Sequence, residues 1–264
     1  MARKVREPAV AELFYPGEAE SLRRLLGELM SRPVAEPHTP KALIVPHAGY
    51  VFSGSTAAAA YARIAPAHAR IERVVLLGPA HRVRFAGLAA HTGDAFLTPL
   101  GEVALDGSAL GRLADLAYVS FSDKAHAEEH SLEVQVPFLQ YLLDDFRLVP
   151  LAVGDASAEA VAAVLERLWG GAETLVVIST DLSHYHDYET ARRLDNRTAE
   201  NILGKRPEAI GYQDACGRTP LVGLLELARR RELRIEQLRL CSSGDTAGNR
   251  QRVVGYGAFA VYEN

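Results

Sequence analysis

The stretch ALIVPHAGYVFSG (residues 42–54) opens on an unbroken apolar run and then breaks at Pro46 and His47. A short run with no polar alternation reads as a strand covered on both faces, the kind found in sheets sandwiched between helices. Two further stretches repeat the pattern: RVVLLGPAH (73–81) and TLVVISTDLSH (174–184) each end on a histidine. Between and beyond them lie segments of helical periodicity. EAESLRRLLGELMS (18–31) places Leu22, Leu25, Leu26, Leu29 and Met30 at helical spacing. GSTAAAAYARI (54–64) reads as a small-residue helix capped by Ser53 or Ser55. EHSLEVQVPFLQYLL (129–143) reads as a helix that Pro137 bends or restarts. The segments 157–170, 188–204 and 219–231 supply three more helices. Strands are expected at 118–122, 146–154, 234–243 and 252–263, with a β-rich stretch over 86–105. RPVAEPHTP (32–40) is a proline-rich connector.

This alternation predicts one α/β domain over residues 1–264, a three-layer α/β/α sandwich around a mostly parallel sheet. Ligands of such sheets bind beyond the carboxyl ends of the strands. His47, His81 and His184 each follow such an end, so parallel pairing would bring them to one rim.

Bulk properties narrow the function. A net charge of -4 gives no electrostatic case for nucleic acid or an anionic membrane as partner. No apolar run approaches the ~20 residues of a membrane span, and MARKVREPAV lacks a signal-peptide core. Cys216 and Cys241 are the only cysteines, too few for a disulfide framework. The expected location is cytoplasmic.

Neutral imidazoles bind Fe, Zn, Cu and Ni, and two His with a carboxylate leave coordination positions open to a substrate. PHAGY (46–50) and GPAH (78–81) have the local chemistry for this; either histidine alone reads more readily as a hydrogen-bonded loop residue, and the two together bring the metal reading level with it. In STDLSHYHD (179–187), Ser179, Thr180 or Asp181 would cap a helix, or Asp181 and His184 would accept and carry protons. HAEEHSLE (126–133) matches the H-x-x-E-H zinc-peptidase pattern through His126, Glu129 and His130; its plainer reading is a charged first helical turn. SSGDTAGNR (242–250) is a polar loop whose one carboxylate is Asp245, and DACGR (214–218) sets Cys216 before a helix, either as a stabilised thiolate or as a small buried side chain. Neither the phosphate-loop order nor the dinucleotide fingerprint occurs.

The ordered set REPAVAELFYPG, VPHAGYVFSG, LLGPAHR, TPLGEV, EHSLEVQVPFL, STDLSHY, ACGRTP and SSGDTAG…VVGYGAFAV resembles the Memo family along essentially the whole chain. The resemblance implies a fold similar to the LigB-like, class III extradiol dioxygenases, which hold non-heme Fe(II) with two His and a carboxylate. It carries metal ligands onto His47 and His81, and pocket or catalytic residues onto His130, Asp181 and His184. For the third ligand the chain departs from the human pattern, where a cysteine precedes the last strand. Here that place falls at Thr246 beside Asp245, with Cys241 upstream; Asp245 is the choice that restores the two-His-one-carboxylate set. The implied cofactor is a divalent metal, Fe(II) first, with Zn or Cu as alternatives. The implied function is a dioxygenase-like oxidoreductase of unknown substrate, with a metal-dependent hydrolase or a non-catalytic module for a phosphate-containing ligand or peptide as alternatives. The bacterial and archaeal naming further implies an AMMECR-like protein and a radical-SAM protein as partners.

Overall fold

The computed structural model describes residues 3–31 and 38–263. The connector expected at 32–40 therefore lies largely outside the described residues. At the centre, four strands run parallel in the order Ala42–Val45, Thr174–Ser179, Arg73–Pro79, Arg147–Val153. Their side chains are buried almost without exception, as the unbroken apolar runs require. The flanks are antiparallel: Val253–Tyr262 pairs with Ala42–Val45 on one side, and Leu88–Ala90 pairs with Arg147–Val153 on the other. Arg234–Ser242 and the short His184–His186 also pair antiparallel with Val253–Tyr262. The expected α/β sandwich is thus built on a mixed sheet, parallel through its centre and again at the far edge, where Val119–Phe121 pairs parallel with Leu88–Ala90, and antiparallel at the joins between. A nine-residue strand followed by a ten-residue one across a short loop makes a hairpin, which is antiparallel by construction.

Helices cover the sheet. Ala19–Leu29, Tyr50–Tyr61 and Val136–Leu142 pack together over strands Ala42–Val45 and Val253–Tyr262. Ala158–Leu168 pairs with Arg218–Arg230, and Tyr188–Leu203 lies on the hairpin. Helix Tyr50–Tyr61 starts earlier than Ser53 or Ser55 would place it. Gly49 is its N-cap, and Ser53 Oγ instead donates to the carbonyl of Ala48. Pro137 does restart a helix: one turn, His130–Glu133, is followed by Val136–Leu142 with the proline in its first turn, where the missing N–H costs nothing. Among the described residues, no helix is long and apolar enough to cross a membrane.

The segment ahead of the sheet is fastened by one buried carboxylate. Glu133, 1% exposed, accepts from the Arg6 guanidinium, from the Tyr15 hydroxyl, and from the amides of Ala9 and Val10 at 2.7 and 3.0 Å. Arg6 also donates to the carbonyls of His126 and Glu129. This network brings Phe14 to the rim described next.

Candidate metal centre

His47, Asp181 and His81 each stand two residues past the carboxyl ends of three adjacent parallel strands, with the Asp181 strand in the middle. The imidazoles of His47 and His81 approach to 5.2 Å between ring centroids. His130, brought in by its one-turn helix, stacks on His81 at 4.7 Å and meets His47 edge-on at 5.5 Å. All three open, with Asp181, His184 and Cys216, onto one cavity of about 850 Å³. The strand endings do converge.

Three of these histidines, His81, His184 and His47, are held from behind through Nδ1, whereas His130 Nδ1 is buried without a hydrogen-bond partner among the described residues. His81 Nδ1 lies 2.9 Å from Glu129 Oε1, and the same carboxylate accepts from the amides of His81 and Ser131. His184 Nδ1 donates to the carbonyl of Leu182 at 2.8 Å. His47 Nδ1 meets Ser179 Oγ at 2.9 Å. A carboxylate and a carbonyl only accept, so His81 and His184 carry their protons on Nδ1 and keep a lone pair on Nε2.

Cys216 is the thiol that reaches the cluster. Its Sγ lies 3.3 Å from His47 Nε2 and accepts from the Asp181 amide, also at 3.3 Å. Gly217 makes this approach possible: a Cβ there would stand 2.6 Å from the Ser179 carbonyl and from Thr180 Cβ. One donor atom from each of His47, His81 and Cys216 lies within 4.8 Å of the others. His81, Glu129 and His130 form a second such group, but Glu129 spends its oxygens on His81 and Ser131 and serves better as the carboxylate that orients His81.

Burial sets the protonation of the site. It drives His47 well below the usual histidine range, helped by its neighbours His81 and His130, and takes His130 down to about 4. His184 is lowered for the same reason. Asp181 is pushed up to about 7 by burial, against the amides of His47 and Ala48 that favour its charged form. Burial also raises the Cys216 thiol, so the site before the helix stabilises no free thiolate. For Glu129, burial is outweighed by the hydrogen bonds from His81 and Ser131, and the carboxyl falls to about 2.

Asp245 is not brought to the cluster. Its carboxylate accepts from the amide and hydroxyl of Ser242 and from the Tyr188 hydroxyl at 2.5 Å, an exposed position that does not line the cavity. Thr246 donates to the Ser243 carbonyl and Cys241 pairs with Thr56, and neither lines the cavity. The loop from 243 turns back in a capping box, which points its one carboxylate at its own backbone. The H-x-x-E-H pattern is also split. Glu129 is the N-cap of a new turn, and His126 lies apart, its Nε2 donating to Ala89. Asp187, not residues 179–181, caps the helix after His184.

Sequence reasoning passed over the rim. Arg82 and Arg252 line the cavity, and neither has a carboxylate partner among the described residues. Arg252 lies over Tyr185, a non-glycine residue at φ +63° beside His184. Tyr212, 72% exposed, stands at the same mouth. A basic residue directly after each of GPAH and GNRQ was the available signal.

The family model for Memo-like proteins matches residues 6–260. MEMO1 family proteins of Aquifex aeolicus and Archaeoglobus fulgidus are each 37% identical, over 96% of this chain and 97% of theirs. One from Aeropyrum pernix is 36% identical over 98% of this chain and all of its own. The crystal structure of an uncharacterized protein from Escherichia coli K12 superposes with a TM-score of 0.51 at 14% identity, covering 81% of this chain and 98% of that one, a likeness of fold.

Proposed function

The chain belongs to the Memo family, and we propose that it acts as a metal-dependent member in which His47, His81 and Cys216 hold one divalent transition-metal ion. The observation that carries this reading is the meeting of two imidazoles and a thiol within coordinating reach, with His81 oriented from behind by Glu129. Two nitrogens and a sulfur suit Fe(II), Zn(II) or copper better than Mg(II) or Ca(II), with Fe(II) the first choice. A bound ion of this kind supplies Lewis acidity and open coordination positions for a ligand oxygen.

The chain's own groups do the rest. His184 presents a lone pair at Nε2 to the cavity and takes a proton from the bound substrate there. Asp181 Oδ1 accepts from the His47 amide at 2.8 Å and holds that loop in place. His130 and Phe14, 5.0 Å apart, form one wall. The finer proposal is an oxygen-using reaction of the extradiol type on a substrate that chelates through two adjacent oxygens. Its support is the family's resemblance to those dioxygenases, with the thiol of Cys216 taking the place given to the Asp245 carboxylate.

The test is metal content after anaerobic purification. One iron per chain, lost in His47→Ala and His81→Ala, supports the metal reading; metal-free protein under Fe(II), Zn(II) and Cu(I) loading overturns it. Oxygen uptake with a catechol distinguishes oxygenase from hydrolase chemistry.

A second reading has its own observation. Arg82 and Arg252 face a cavity in which the buried Asp181 is the only lining carboxylate among the described residues, an arrangement that favours an anion such as a phosphate-bearing ligand or peptide. Phosphate binding that persists unchanged in the His47 and His81 variants but fails in Arg82→Ala supports it.

A further inference from the structure

His47 differs from His81 and His184 in what stands behind it. Its Nδ1 meets a hydroxyl, which either gives or takes a hydrogen bond. The other bonds at Ser179 decide between the two. Ser179 Oγ lies 2.6 Å from the carbonyl oxygen of Ser131, which only accepts, so the single hydroxyl hydrogen is committed there. Gln135 Nε2 lies 2.9 Å from the same Oγ. The orientation of that amide follows from its remaining contacts: Nε2 also lies 2.9 Å from the Pro46 carbonyl, and Oε1 accepts from Tyr61 at 3.0 Å. Turned over, the amide would set oxygen against the Pro46 oxygen. Gln135 therefore donates to Ser179, which leaves one lone pair for the nitrogen of His47.

We infer that Ser179 and Gln135 are positioning residues that fix His47 as its Nδ1–H tautomer and leave Nε2 as a lone-pair donor facing Cys216 and the cavity. The three relay side chains, Ser131, Gln135 and Ser179, are all 0% exposed, so water does not compete for these bonds. The opposite tautomer would face the Nδ1 lone pair with a Ser179 oxygen that has no hydrogen left to offer. Such a buried mismatch is unfavourable. His47 thereby matches His81, set by Glu129, and His184, set by the Leu182 carbonyl. Glu129, Ser131 and Gln135 lie within seven consecutive residues, so the short stretch 129–135 prepares both histidines that end the flanking strands. In its purpose this inference rests on the metal reading; in its content it concerns the metal-free chain.

The experiment is a long-range ¹H–¹⁵N correlation spectrum of the histidine rings in metal-free, ¹⁵N-labelled protein, with metal affinity measured beside it by chelator competition. The wild type is expected to show His47 protonated on Nδ1. Ser179→Ala removes the acceptor, and Gln135→Met releases the serine hydroxyl to turn; each is expected to mix the tautomers of His47 and to weaken metal binding about 10- to 100-fold. Two variants guard against a fold lost in one. A wild-type His47 protonated on Nε2 overturns the inference, and so does a single unchanged tautomer in both variants. Tautomers that shift as expected in a protein binding no metal support the inference and end the metal reading. Tight metal binding unaffected by either variant, with tautomers unmoved, does the reverse.

Discussion

Arg6 and Glu133, 127 residues apart in the chain, form an ion pair whose side chains are 2% and 1% exposed. Two charges leave water at such a depth only when every lone pair and proton finds a partner. Glu133 has four donors and Arg6 has two carbonyls besides.

Removing one partner should therefore be worse than removing both, by the cost of the one charge left uncompensated. Glu133→Ala is expected to cost about 3–5 kcal/mol of unfolding free energy, because Arg6 is left buried and uncompensated. The double variant Arg6→Met, Glu133→Leu removes the uncompensated charge but still leaves the Ala9 and Val10 amides and the Tyr15 hydroxyl without their acceptor, so it should recover part of that loss, not all of it, in urea unfolding. Equal losses in the single and double variants would show that packing of the segment, not the charge, is what matters.

Glu129 is expected to act on metal through His81. Glu129→Gln keeps the side-chain volume but exchanges one acceptor oxygen for a donor and gives up the negative charge behind the ring. Metal affinity should fall about 10- to 100-fold while the far-ultraviolet spectrum stays unchanged. Unchanged affinity in chelator competition would remove Glu129 from the site.

The identity of the third donor is open to spectroscopy. Co(II) bound through a thiolate shows sulfur-to-metal charge-transfer absorption. That absorption should be present in the wild type, in Asp245→Ala and in Cys241→Ser, and absent in Cys216→Ala. Its survival in Cys216→Ala would return the position to the loop at 242–250.

Asp195 gives a pH dependence away from the histidine cluster. Burial pushes its carboxyl up to about 6, against hydrogen bonds from Ser183 and the charge of His186. Between about 4 and 6 the native chain holds a proton that the unfolded chain has released, so this group lowers stability as pH rises through that window. The cost is fully present at pH 7, on the order of 3 kcal/mol at most. Asp195→Asn keeps an acceptor for the Ser183 amide, which now bonds Oδ1 at 3.0 Å. Its melting temperature should exceed that of the wild type at pH 7, and the gap should close toward pH 4. A gap independent of pH would mean that Asp195 is ionised without penalty.

Much of the scaffold is legible in the residues alone, for a physical reason. Strands buried on both faces must be apolar throughout, so 42–45, 73–79 and 174–179 announce themselves, and His47 and His81 follow at fixed offsets. Pro137 likewise marks a helix start, since no other helical position tolerates it so well. Loop chemistry is less legible. Asp245 reads as a free carboxylate until the capping box at Ser242 shows where its oxygens go. Cys216 reads as an ordinary buried thiol because its approach to His47 depends on Gly217 fitting under a strand 37 residues earlier, a contact that no local pattern encodes. The H-x-x-E-H spacing misleads because Glu129 begins a new turn and so sends His126 and His130 to different sides.

The walls of the cavity come from widely spaced parts of the polypeptide: Phe14 from the segment pinned by Glu133, and Val254 and Tyr256 from the strand beside Ala42–Val45. No local stretch pre-forms the chelating geometry, so a partly synthesised chain carries its histidines as scattered weak ligands. On the metal reading, tight uptake of an ion would report that the molecule is finished, and an incomplete copy would be kept from loading one.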